Sequence, residues 1–214
     1  FMFRFSNALA AAGLMGSVLA LPGTALALDG SALLKRASDT MGDPRTVRFV
    51  AQGTGYTYGQ AFVPGAAWPR INVHNLTRTI NYEANAMREQ ITLSRAEPKG
   101  GGGYPLSGQQ TNDGFVSGNF AWNMAGTAPQ PNGRSTTERV HNLWTSPHGA
   151  LKAAIRNSAP LEFVSRGGKE YAQVKFAEEG KFTATAYFNE KYQLERVESR
   201  YPDAVLGEVV SVTD

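Results

Sequence analysis

With 214 residues and a formal charge of +3, the chain has the size of one domain and a slight positive balance. Its Lys and Arg are scattered among Asp and Glu with no basic stripe and no interleaved stacking aromatics, so despite a pI near 9.2 the pattern speaks against a nucleic-acid partner. Cysteine is absent, which excludes disulfides, thiolate chemistry and lipid attachment at a cysteine; core burial alone must stabilise the fold.

Residues 1–27 read as a secretory signal peptide. Arg4 supplies the positive start, Ala8 to Leu21 the apolar run, and Ala25-Leu26-Ala27 a small-residue cleavage site with Ala25 and Ala27 at its two determining positions. Pro22-Gly23-Thr24 cuts the run short of the roughly 20 apolar residues a membrane span needs. The expectation is a periplasmic or secreted bacterial protein without stable membrane insertion after cleavage, whose residues 28–214 form a single domain.

In that domain, Leu33, Leu34, Ala37 and Met41 recur at helical spacing until Gly42-Asp43-Pro44. Thr46 to Tyr58 alternates (Val47, Phe49, Ala51), with Gly53 and Gly55 where a strand would bulge. Arg70 to Tyr82 and Ala86 to Arg95 read as a hairpin. The first run has Leu76, Ile80 and Tyr82 on one face and Ile71 and Val73 on the other; the second has Met87, Ile91 and Leu93 sharing a face with Glu89. Glu97 to Asp113, with Gly100 to Gly103, predicts a mobile surface loop. Strand character resumes over Gly114 to Met124, and Ala125 to Arg134 predicts a second loop.

Ser135-Thr136-Thr137-Glu138 matches a capping box opening a short helix through Trp144. Ser146-Pro147 then opens a helix with an Ala150, Leu151, Ala154, Ile155 stripe, ending near Asn157. Leu161 to Tyr201 predicts a strand meander, in which Phe182, Ala184, Ala186 and Phe188 share one face. Short turns force antiparallel pairing. The fold class expected is α+β, mainly β: a curved, half-barrel-like antiparallel sheet with a central pair of short helices and an N-terminal helix. A last strand, Leu206 to Thr213, runs on without a cap, and the domain is expected to be truncated at its C-terminus.

Tests for chemistry return no catalytic and no metal-ligating residue. His74, His141 and His148 show no H-x-H or H-E-x-x-H spacing. Glu138 and His141 lie three apart on a helix, but Glu138 is assigned to the capping box and His141 to a partly exposed surface position. Gly114 to Gly118 lacks the G-x-S-x-G spacing of a serine nucleophile, the four-glycine run lacks the G-K-[ST] of a phosphate loop, and Glu178-Glu179 falls in a turn. Asn75-Leu76-Thr77 fits a glycosylation acceptor but sits inside a strand. The aromatics are more suggestive: Trp68, Phe115, Trp122, Trp144 and Phe182 are the candidate lining of an apolar cavity enclosed by a curved sheet.

The strings Asp113 to Asn123 (DGFVSGNFAWN), Asn142 to Ala154 (NLWTSPHGALKAA) and Pro202 to Glu208 (PDAVLGE) resemble the N-terminal region of secreted, periplasmic metallo-beta-lactamase-fold hydrolases. The sheet is also similar to the half-barrel of lipoprotein carriers. The first resemblance implies a non-catalytic domain that packs on or gates a downstream zinc domain of the same polypeptide. Zinc would be bound only there, by an H-x-H-x-D-H string this chain lacks, and no cofactor is expected in this chain itself. The second implies a carrier or binding module for a lipid or another apolar small molecule.

Overall fold

Helical spacing and strand alternation translate into three helices and two antiparallel sheets among the residues described by the computed structural model: 30–61, 63–96, 106, 108–204 and 206–214. The signal segment with Ala25 and Ala27, and Gly100 to Gly103, lie outside them. Helix α1 (Gly30–Met41) leads into β1 (Thr46–Tyr56), β2 (Arg70–Asn81), β3 (Ala86–Arg95), β4 (Gln110–Ser117), β5 (Phe120–Ala125) and β6 (Ala128–Pro131), paired in chain order as the first sheet. Helices α2 (Thr136–Trp144) and α3 (Pro147–Arg156) follow. A second meander, β7 (Leu161–Arg166), β8 (Lys169–Glu178), β9 (Phe182–Phe188), β10 (Leu194–Asp203) and β11 (Gly207–Thr213), completes the second sheet. The class is α+β, mainly β, as alternation predicts, with the strands divided between two open ladders.

Three boundaries differ from expectation. Residues 114–124 form two strands, because Gly118 adopts a left-handed backbone (φ 55°) that reverses the chain between Ser117 and Phe120. Residues 110–113, expected in a loop, extend β4 and pair with β3. The second expected loop contains β6, whose Pro129 and Pro131 are compatible with an edge strand that needs few backbone donors.

The α2–α3 corner explains the string from Trp144 to Gly149. Pro147 stands at the start of α3, where its missing N–H is no loss. Gly149 passes so close to α2 that a Cβ there would collide with the Leu143 carbonyl and lie 2.6 Å from Ser146 Oγ and 3.1 Å from Trp144 Cα. Ser146 Oγ donates to the Leu143 carbonyl (2.7 Å), leaving its oxygen to accept from the buried Tyr82 hydroxyl (3.1 Å). His148 Nε2 donates to the Met41 carbonyl (3.0 Å), and Trp144 Nε1 donates to Asn85 Oδ1 (3.1 Å) in the β2–β3 turn. The corner thus ties α1, α2, α3 and the first sheet together.

The capping box does not form. A 3-10 turn over Gly133–Ser135 precedes α2 and holds Ser135 at ψ 2°, away from the extended backbone a cap requires, and no side-chain cap bond is made. Glu138 is released for another position.

Helix α2 lies between the layers, against β10 of the second sheet and β3, β4 and β5 of the first. Its Val140 and Leu143 are buried in one continuous core with Ile80, Met87 and Val116 from the first sheet and Val174, Ala186, Phe188 and Val197 from the second. The predicted face Phe182, Ala184, Ala186, Phe188 is buried throughout.

Candidate functional site

Cross-strand partners share a face of a sheet, so the pairing register sorts the inner face of the first sheet into rows. The row Val47, Ile80, Met87, Val116, Ala121 packs into the core. The next row is Phe49, Arg78, Glu89, Gly114 and Asn123. Arg78 and Glu89 form a partly buried ion pair, Arg78 Nε donating to Glu89 Oε2 at 2.7 Å, and the guanidinium lies 5.7 Å from the centre of the Phe49 ring. Arg139 of α2 lies directly over Gly114, where a Cβ would stand 2.7 Å from its Nη2. From there it donates to the Phe115 and Trp122 carbonyls (3.0 and 2.8 Å) and to Asn123 Oδ1 (2.5 Å), anchoring α2 to the β4–β5 hairpin.

Beyond this ionic row the inner face turns apolar again, with Leu76 paired to Ile91, Val73 to Leu93 and Ile71 to Arg95. The five apolar side chains are only half-buried and stand outside the packed core. Strict alternation puts Ile71 and Val73 on the face opposite Leu76. A bulge between Val73 and Asn75 inserts one residue, flips the parity, and puts all of them on one side. A matching shift between Ala51 and Gly53 on β1 aligns Gly53 with Val73 and Gly55 with Ile71. Above Gly53 no described atom lies within 4 Å of where a Cβ would stand.

Helix α2 and strand β10 bring further titratable groups near the ionic row. Glu138 is solvent-accessible, yet its carboxyl is raised above the usual carboxylate range by desolvation, then by Glu89 and Asp203, against the opposing pull of Arg139 and Arg78. Glu138 is exposed at the surface of α2, and solvent access there moderates the shift. The Tyr201 hydroxyl on β10 is raised first by burial and then by Glu138, Asp203 and Tyr58, so Tyr58 of the β1–β2 loop lies near it. Tyr58 packs edge-on against Trp68 (5.0 Å), and Leu206 of the β10–β11 turn closes on Gly59, lying 2.5 Å from where its Cβ would be.

Deeper, His141 is 3% and Ser199 4% exposed, 2.7 Å apart, which corrects the expected surface position of this histidine. An amide oxygen only accepts, so the 3.3 Å contact with Asn142 Oδ1 puts the imidazole proton on Nδ1, and Nε2 accepts from the Ser199 hydroxyl. A serine, a histidine base and an orienting amide have the order of a nucleophilic triad. Tyr201 stacks over the ring at 4.2 Å and Phe182 meets its edge at 5.5 Å, so no surface is left for a substrate. Burial lowers the imidazole pKa to about 4, the Asn142 contact opposing and the Arg78 charge adding to this, which makes it a poor base at neutral pH. The pair joins α2 to β10.

The five aromatics singled out from sequence do not line one space. Trp68 is 44% exposed in the β1–β2 loop; Phe115 and Trp122 stack at 5.3 Å on the outer face of the first sheet; Trp144 and Phe182 are core residues. Sequence reasoning misses Gly53, Leu76, Ile91, Val73, Leu93, Ile71, Arg78 and Glu89 as site residues. Apolar residues of both parities along Arg70 to Tyr82 are the signal that points to them.

A separate groove of about 930 Å³ runs between α1, the end of α3 and β7, with Ile155 and Phe163 exposed along it. Among the described residues no group of three His, Cys, Asp or Glu is arranged to hold a metal ion, and no helix is long and apolar enough to cross a membrane.

No protein-family model matches the chain, and no curated protein matches it. Among solved structures it is similar to an uncharacterized conserved protein from Thermus thermophilus, at 10% identity over 85% of this chain and 81% of that one, with a TM-score of 0.30. A likeness of that size carries no argument about fold or function.

Proposed function

We propose that the protein is an exported, periplasmic binding module that carries a lipid or another apolar small molecule in the cleft between its two sheets. The observation that supports this most is the row of half-buried Ile71, Val73, Leu76, Ile91 and Leu93 on the inner face, outside the packed core and beside Gly53, above which no described atom lies within 4 Å of a Cβ position. Apolar side chains facing inward without a packing layer are the lining an apolar ligand needs, and the Arg78, Glu89, Glu138 row marks the polar end of the space. An environment-sensitive apolar fluorophore titrated into the purified protein tests the reading. Gly53→Trp fills the cleft and weakens uptake at least about tenfold while the circular dichroism spectrum is kept, whereas Phe163→Ser in the α1–β7 groove leaves uptake unchanged. Absence of uptake, or uptake lost only with Phe163→Ser, removes the cleft as the site.

A second reading, an accessory domain of an exported metallo-beta-lactamase-fold hydrolase, is supported by the Asn142 to Ala154 string, which folds as one unit at the α2–α3 corner. The coding sequence beyond Asp214 tests it: an H-x-H-x-D-H string in frame is the expected outcome, and a stop codon there counts against it.

A further inference from the structure

Among the described residues the two open sheets expose four edge strands, β1, β6, β7 and β11, and an edge left without protection recruits another strand through its free N–H and C=O groups. Three of the edges carry protection. Strand β1 has Arg48 and lies beside the bulged stretch of β2; β6 is four residues long with two prolines; β7 presents Glu162 and Arg166, ion-paired to Lys175 and Glu198. Strand β11 has only one such device, Glu208 at its start, and none along Val209 to Thr213. Its register with β10 is unbroken, it contains no proline and no lysine, and Val210 and Val212 are 57% and 48% exposed on its outer face.

We propose that β11 pairs antiparallel with β11 of a second copy, joining the two five-stranded sheets into one. The sequence of the strand is self-complementary in this arrangement. With a two-fold axis at Ser211, Val210 of one copy stands opposite Val212 of the other and the reverse, so both exposed valines on each chain are covered by their counterparts on the same face. The charges also match. Glu208 arrives held by Arg200 and Asp214 by Arg196, each at 2.7 Å, so each end of the junction brings together two neutral ion pairs. One strand pair buries less than a standard protein interface, and the dimer is therefore concentration-dependent.

Sedimentation velocity of the full chain over a wide concentration range tests this. The expected result is a monomer–dimer equilibrium that Val210→Lys or Val212→Lys weakens at least about tenfold, because an edge lysine blocks strand addition. Val50→Lys, on the exposed face of edge strand β1, leaves it unchanged. Hydrogen exchange of the β11 amides slows as concentration rises. A monomer at every concentration overturns the proposal, and so does a dimer that only Val50→Lys disrupts. The cleft ligand plays no part, so this outcome is independent of fluorophore uptake.

Discussion

His141 shows how much one buried side chain ties pH to stability. In the unfolded chain its imidazole protonates as pH falls through the usual 6.5; in the folded protein it stays neutral down to about 4 because it lies among Tyr201, Phe182 and Ser199. Its contribution is therefore complete above pH 6.5 and is lost progressively as pH falls toward 4, by about 3 kcal/mol in all. Urea midpoints measured between pH 7 and 5 are expected to fall, and His141→Gln to flatten that slope; an unchanged slope would place the imidazole in solvent. Glu138 works in the opposite sense. With its carboxyl raised by desolvation, Glu89 and Asp203, its ionisation at neutral pH opposes folding.

At the scale of elements, the α2–α3 corner is the least tolerant joint. Gly149→Ala pushes a methyl into the backbone of Leu143 and Trp144 and is expected to cost about 1–3 kcal/mol in chemical denaturation. Gly133→Ala, where nothing lies within 4 Å and φ is not positive, changes stability by less than about 0.5 kcal/mol. The contrast separates a glycine needed for close approach from one that is not. It also explains why Trp144 to Gly149 stands out in the sequence: the string encodes a tight helix junction, with His148 bonded to the Met41 carbonyl.

Across the whole molecule, α2 is the shared layer. Both sheets rest on it, and Leu143 is fully buried between them. Leu143→Ala is expected to destabilise by about 2–5 kcal/mol. Hydrogen exchange should rise in β3 and β10 alike, whereas a rise confined to one sheet would mean that the two unfold separately. The distal half of β1, β2 and β3 reaches beyond this layer, and that overhang leaves the inner apolar rows only half-buried.

The local chain determined the elements. Alternation placed β3 to the residue, Pro147 placed the start of α3, and Phe182 to Phe188 declared a buried face, because strand and helix periods are properties of neighbouring residues. Only the tertiary structure decided the rest. A one-residue bulge near His74 moved Ile71 and Val73 onto the same face as Leu76, and a 3-10 turn ahead of α2 kept Ser135 and Glu138 from forming a capping box. Packing of α2 on β10 buried a histidine that spacing alone had left at the surface. Each of these depends on partners far away in sequence, and periodicity within one segment carries no information about them.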